Sequence, residues 1–272
     1  MTTSLFNIEN KIIVITGGFG QLGLKFAEFL VDKKARVVIV DICQDNKKLA
    51  ESLKEAEKEN HLLLLKADIT QEDELKNTLI KIQSHWGTPA GLINNAALDS
   101  PPHAAAQNNG PFENYPTELF EAVMKVNVTG TLLACKIFGS AMAQEKSGSI
   151  INISSIYGML SPDQTIYQYR RDQGDEFYKP ISYSVSKSAL FNLTRYLATY
   201  WAKAGVRVNT LTLGGVFNHQ DETFLKNYCA KVPLGRMAKA EEYNGAILFL
   251  LSQASSYMTG SNMVMDGGWT SW

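Results

Sequence analysis

Cysteine and histidine are scarce in this chain of 272 residues: three of the first, at 43, 135 and 229, and four of the second, at 61, 85, 103 and 219. An odd number of widely spaced cysteines argues against a disulfide framework and fits a reducing compartment. The histidines show no metal-ligand spacing, so no metal site is expected. Neither sign of charge is in excess, with 26 bases against 27 acids and a net charge of −1. That balance excludes the basic surface that nucleic-acid or anionic membrane partners require. No apolar run approaches the ~18–20 residues of a bilayer span. The N-terminal residues lack a basic stretch leading into an apolar one, so a cytoplasmic protein without a secretory leader is expected.

What is present is ordinary globular material: 45% hydrophobic and 19% charged residues, with 20 Gly and 8 Pro. Short aliphatic runs occupy 11–16, 36–41, 62–66, 91–94, 149–154, 206–213 and 262–265. Their near-continuous apolarity is the pattern of strands covered on both faces, as in a parallel sheet. Amphipathic stretches lie between them. In 186–203, Leu190, Leu193, Leu197 and Trp201 form one apolar stripe, and 46–59 reads as a charged peripheral helix with Leu49, Leu53 and Ala56 inward. Seven β–α units without a break in composition predict an α/β fold. The expectation is one Rossmann-like, doubly wound domain over residues 1–272, its seven-stranded parallel sheet flanked by helices on both faces. Two segments, near 98–116 and 161–180, fit no periodic pattern and are expected to be binding loops.

The first strand ends in Thr16-Gly17-Gly18-Phe19-Gly20-Gln21-Leu22-Gly23 and a helix follows. Glycines there allow a tight turn and close backbone approach, and a helix N-terminus offers N–H groups to a pyrophosphate. Alone the pattern is weak. Its place between strand and helix strengthens it, as does Asp41, 18 residues beyond Gly23 at the end of the second strand. A carboxylate there accepts from ribose hydroxyls and repels a 2′-phosphate, which predicts NAD(H) in preference to NADP(H).

Tyr183-Ser184-Val185-Ser186-Lys187 opens the long helix near 182–203. Chance produces about one Tyr-x-x-x-Lys in a chain of this composition, so position supplies the weight. Residues four apart share a helix face. The pair follows the strand 149–154, whose C-terminal end faces the same crevice as the glycine turn. An ammonium beside a phenol favours the phenolate, which can take a proton from an alcohol while a hydride leaves its carbon. Ser155 is placed to hold the reacting oxygen.

In their order along the chain these motifs resemble the short-chain dehydrogenase/reductase family, of its compact NAD-dependent type. The resemblance also rests on Asp68, on Asn94-Asn95-Ala96-Ala97, on Asn127 in Val126-Asn127-Val128, on Pro233-Leu234-Gly235-Arg236 and on Asp266-Gly267-Gly268. It implies a catalytic set of Asn127, Ser155, Tyr183 and Lys187, with Tyr183 as acid/base and Asn127 positioning a relay water. It implies cofactor contacts at Gly17, Phe19, Gly20, Gln21, Leu22, Asp41, Ile42, Asp68, Ile69, Asn95, Ala96, Gly215 and Phe217, besides Tyr183 and Lys187. Two departures stand out. Gln21 occupies a position where the family usually has glycine, and Gly214-Gly215-Val216-Phe217-Asn218-His219 replaces the usual Pro-Gly with a later Thr.

The interval from Ser155 to Tyr183 is about twice the family's usual length, and loop growth of this kind often serves binding. Tyr167, Arg170, Arg171 and His219 are the candidates for substrate contact, and the earlier loop offers His103, Gln107, Asn108 and Asn109. Their polarity points to a small polar substrate; the two arginines can bind a carboxylate or phosphate on it, or else pair with Asp172, Asp175 and Glu176 of the same segment on the surface. The wording at 154–158 and 177–180 resembles a bacterial subgroup associated with flagellin-glycan and nonulosonic-acid gene clusters, which implies a sugar derivative. The expected activity is NAD-dependent hydride transfer at a hydroxyl or ketone. An NAD-dependent epimerase or dehydratase and a non-catalytic NAD-binding module stay open. Apolar residues off the main stripe, Phe191 and Tyr196 among them, predict a homodimer or homotetramer through the helices near 117–144 and 182–203.

Overall fold

The computed structural model describes residues 5–99 and 109–272. Those residues form one seven-stranded parallel sheet with the order β3-β2-β1-β4-β5-β6-β7. The strands are β1 (Ile12–Thr16), β2 (Arg36–Asp41), β3 (Leu62–Lys66), β4 (Gly91–Asn94), β5 (Gly148–Ser155), β6 (Val206–Leu213) and β7 (Asn262–Met265). Strand order reverses between β1 and β4. The loops after these two strands therefore diverge and leave a crevice at the carboxyl edge of the sheet.

Both faces of the sheet are covered, which is why the runs lack alternation. On one face Ile13, Ile15, Val37 and Ile39 pack with α1 (Gln21–Asp32), α2 (Glu51–Lys58) and, near the C-terminus, the helix Asn244–Leu251. On the other, Ile12, Val14, Val38 and Val40 meet α3 (Glu72–His85), α4 (Thr117–Gln144) and α5 (Ile181–Trp201). Successive side chains along a strand thus serve opposite cores. A third cluster, Tyr157, Tyr167, Phe177, Phe224, Tyr228 and Trp269 among it, sits over the carboxyl edge and includes α6 (Glu222–Cys229).

The helix α4 is long and apolar enough to cross a membrane, alone in this among the described residues, and 61% of its apolar window is buried inside the fold. Two wide π-helical stretches interrupt it, Lys125–Gly130 and Cys135–Gly139.

Three local expectations need correction. The stretch 46–59 is not one helix: after a 3-10 turn at Asn46–Lys48, Leu49 and Ala50 adopt extended backbone before α2 begins at Glu51. The line that α5 buries runs through Leu190, Thr194, Ala198 and Trp201, while Leu193 and Leu197 are only half-buried. Small side chains bring α5 close to the sheet, where Thr194 Oγ1 accepts from Asn152 Nδ2 at 2.9 Å and is hydrogen-bonded to Thr210 Oγ1 at 2.8 Å. The segment 161–180 is not aperiodic, since it carries a 3-10 turn at Gln164–Tyr167 and a short helix at Gln168–Asp172.

Asn152 is the hinge of a buried polar network. Its Oδ1 accepts from Asn94 Nδ2 at 2.8 Å on β4, and its Nδ2 reaches Thr194 on α5. Removing one partner of a buried pair leaves the other desolvated and unmet. Asn152→Ala is therefore expected to destabilise the fold by about 2–3 kcal/mol, read from denaturant unfolding.

Candidate active site

The glycine turn is shaped by close approach rather than by flexibility. Gly17 has φ +63°, and a Cβ there would lie 2.6 Å from Ala96 Cα; at Gly18 it would meet Ile39 Cγ2 at 2.6 Å. Gly23 faces the Gly17 carbonyl oxygen, which a Cβ would approach to 2.5 Å. Gly20 is freer, its nearest neighbour being the same oxygen at 3.2 Å. The turn is stitched to the loop after β4: Thr16 Oγ1 accepts from the N–H groups of Asn95 at 3.1 Å and Ala96 at 3.2 Å, and Asn95 Nδ2 donates to the Gly17 carbonyl at 2.8 Å. No side chain caps α1 at Gly20, so the first-turn N–H groups face the crevice without intrahelical partners.

Asp41 closes the far wall. Its Oδ2 accepts from Phe19 N–H and its Oδ1 from Cys43 N–H, both at 3.0 Å, which fixes the carboxylate at the end of β2. The cleft has a volume of about 760 Å³ and runs from Asp41, Ile42, Asp68 and Ile69 past Asn95 and Ala96 to Ser155, Tyr183, Lys187 and Gly215. Gly17, Phe19, Gly20, Gln21 and Leu22 form its floor. A dinucleotide fits this cradle: Gly17 and Gly20 line it without side chains, and uncapped N–H groups at the start of α1 open onto it.

At the other end, α5 brings Tyr183 and Lys187 onto one face, against Ser155 at the end of β5. Tyr183 and Ser155 line the same end of the cleft. Burial pushes the phenol above its ordinary value, against the influence of the Ser155 hydroxyl, which lowers it. Lys187 Nζ donates to the Ile153 carbonyl at 2.8 Å and lies 5.8 Å from the Tyr183 ring centroid. Burial pulls its ammonium down to about 8, against the pull of the Asp99 carboxylate. Close packing holds α5 there. A Cβ on Gly158 would meet the Lys187 backbone at 2.8 Å, and Ser154 Oγ donates to the Lys187 carbonyl at 3.0 Å.

Not every candidate reaches the cleft. The Asn127 amide is committed elsewhere: Oδ1 accepts from Leu98 N–H at 2.7 Å, and Nδ2 donates to the Leu98 carbonyl and to Ser186 Oγ, which in turn donates to the Tyr183 carbonyl. It supports the loop after β4 and the first turn of α5 rather than lining the cavity. Arg170 and Arg171 find their partners within their own loop, although Arg170 Nη1 is buried without one among the described residues. Arg170 pairs with Asp175 and stacks 4.0 Å from the Phe177 centroid, while Arg171 donates to the carbonyls of Phe177 and Gln164. A loop wound on itself has carbonyls to satisfy, and guanidinium forks do that here. His219 is exposed, with φ +55° and its ring against Phe217. Phe217 points outward too, though its carbonyl accepts from Gln21 Nε2 at 2.8 Å, bridging the two lips of the crevice. Tyr167 does line the cleft. His103, Gln107 and Asn108 lie outside the described residues, and Asn109 is buried away from the cavity.

Sequence reasoning missed Asp99, Tyr157, Lys179, Phe224, Tyr228 and Met237, all of which line the end beyond Tyr183. The available signal was that Asp99 opens the segment 98–116 and Lys179 nearly closes the segment 161–180.

Residues 20–270 match the family model described as enoyl-(acyl carrier protein) reductase. The chain belongs to the short-chain dehydrogenase/reductase family. It is an oxidoreductase of that family. It is 28% identical over 264 residues to post-translational flagellin modification protein A of Campylobacter coli, with 96% of this chain and 99% of that one covered. It is 29% identical over 287 residues to a ribulose-forming D-arabinitol 2-dehydrogenase of Candida tropicalis, covering 98% and 95%. Among solved structures, a short-chain dehydrogenase from Leptospira borgpetersenii with bound NAD+ superposes with a TM-score of 0.85 at 32% identity, over 99% of this chain and 97% of that one.

The steric argument at the glycine turn is directly testable. Gly17→Ala is expected to weaken NADH binding by about tenfold or more, measured by fluorescence titration, and Gly20→Ala by clearly less.

Proposed function

We propose that this protein is an NAD-dependent dehydrogenase/reductase that moves a hydride between nicotinamide and a hydroxyl or ketone of a polar, sugar-derived small molecule, with Tyr183 as acid/base. One observation carries the reading: Ser155, Tyr183 and Lys187 converge in the same cleft as the glycine turn and Asp41. When bound, nicotinamide supplies the site that accepts or gives the hydride. Ser155 holds the substrate oxygen. In the oxidative direction the substrate O–H gives its proton to the Tyr183 phenolate as the carbinol C–H leaves as hydride, and the carbon–oxygen double bond forms; reduction runs the same step backwards. The Lys187 ammonium, present at neutral pH and lost as pH rises through about 8, favours the phenolate by charge.

Asp41 supports NAD(H) over NADP(H), because its fixed carboxylate would meet a ribose 2′-phosphate. Beyond Tyr183 the aromatic wall of Tyr157, Tyr167 and Tyr228 with the polar Lys179, Asn218 and Gln220 suits a hydroxylated molecule better than an aliphatic chain. The naming of the D-arabinitol relative supports the same substrate class. The location proposed is cytoplasmic, and neither a membrane nor a nucleic acid enters this function.

We further propose a homodimer or homotetramer. Tyr196 and Tyr200 are 63% and 68% exposed on α5 and stack at 6.0 Å, with Leu132 of α4 also exposed.

Two measurements test these readings. Incubation with NAD and a panel of polyols, D-arabinitol and glycerol included, should generate NADH, less with NADP; Tyr183→Phe should lower the rate by about 10²–10⁴-fold. Retained NAD with no net NADH release would indicate an epimerase or dehydratase instead. Sedimentation equilibrium should give two or four times the chain mass of 30.1 kDa, and a species at 30.1 kDa would contradict the oligomer.

A further inference from the structure

The two insertions meet directly over Tyr183. Lys179, from the second, is only 8% exposed, and its Nζ donates to Asp99 Oδ1, from the first, at 2.5 Å. Both residues line the cleft. The Lys179 backbone is clamped by one side chain, its N–H donating to Gln164 Oε1 at 2.9 Å and its carbonyl accepting from Gln164 Nε2 at 3.0 Å. The Lys179 ammonium lies 4.8 Å from the centroid of the Tyr183 ring, nearer than the Lys187 ammonium at 5.8 Å. An apolar contact of similar volume would tie two loops together without desolvating any charge. The ionisable group beneath this pair is the Tyr183 phenol.

We propose that Asp99 and Lys179 are positioning residues whose opposed charges set how readily Tyr183 releases its proton, Lys179 favouring release and Asp99 opposing it. The proposal deepens the reading of Tyr183 as acid/base and rests on it. The groups facing Tyr183 are Lys187 from its own helix, Ser155 from the end of β5, Tyr157 from the short helix Ile156–Met159 that follows it, Tyr228 from α6, and the two insertion residues. Asp99 is the charge that most strongly opposes ionisation of the phenol, and it also holds the proton on Lys187. The Lys179 ammonium, 4.8 Å from the ring centroid, carries the opposite charge, so each insertion acts on the phenol in its own direction.

A unit charge about 6 Å from a phenolate moves its titration by about 1–2 pH units at the effective dielectric of a partly buried site. Tyr183 ionisation can be read without any substrate. The signal is ultraviolet tyrosinate absorbance of the NAD-saturated protein minus that of the same variant carrying Tyr183→Phe. Lys179→Met should raise the midpoint by about 1–2 pH units, Asp99→Asn should lower it by a similar amount, and the double variant should return it to near the wild-type value. Lys179→Gln and Asp99→Ala serve as second versions of each change, with NADH binding as the check that each variant folds. Single variants that both shift the midpoint the same way, or leave it unmoved, overturn the proposal. So does a double variant that sums rather than cancels. Full turnover by Tyr183→Phe would instead sink the acid/base reading while leaving the titration to report on the pair.

Discussion

A lysine ammonium buried beneath a nucleotide cleft with a backbone carbonyl as its hydrogen-bond acceptor is the constraint around which this structure is arranged. Lys187 donates to Ile153, and a buried charge is tolerated only where such a partner exists. The sheet provides it through unequal strand lengths. β4 ends at Asn94, opposite Asn152, whereas β5 continues to Ser155 beside β6 alone. That one-sided extension leaves backbone groups without a strand on the β4 side, and Ile153 lies within it. The same extension carries Ser155 into the cleft that Tyr183 lines, so one stretch of β5 both anchors the cation and supplies a hydroxyl at the same end of the site.

Much of this was legible in the amino-acid order, for identifiable reasons. Strands such as 37–40 show through because burial on both faces favours an unbroken aliphatic run, whereas 206–213 interleaves its aliphatic residues with Asn209, Thr210 and Thr212, which are buried as well. The glycine turn shows through because backbone approach to Ala96 and Ile39 admits nothing larger at Gly17 and Gly18. Tyr183 and Lys187 were legible as a pair because a helix places residues four apart together. What the pattern hid depends on packing distance or on chain-distant pairing. The buried line of α5 passes through Thr194 and Ala198 because close approach to the sheet favours small side chains over Leu193 and Leu197. Asp99 and Lys179 are 80 residues apart, and nothing local in either neighbourhood announces the other.

The arginines teach the opposite lesson. Arg170 and Arg171 looked like ligands for an anion because they stand together in a polar insertion. Their partners are instead Asp175 and the carbonyls of the insertion itself. An insertion must satisfy its own backbone before it can serve a substrate. Here that work falls to guanidinium groups, while Tyr167, its ring tilted against Phe177 at 4.8 Å and against Phe224 at 5.7 Å, is the side chain that faces inward. The wall of the substrate end is thus an aromatic cluster braced from behind by the charged residues.

The wide turns of α4 have a geometric consequence. A π turn holds one residue more than the α turn it replaces, so each rotates everything downstream by about 100°. Two such turns, separated by Thr131–Ala134, make this long rod into three segments with independent phase. The first wide turn carries Asn127 toward the loop after β4, while the second carries Phe138, and the segment after it Met142, onto the sheet. A straight α-helix of the same composition could satisfy only one of these demands at a time.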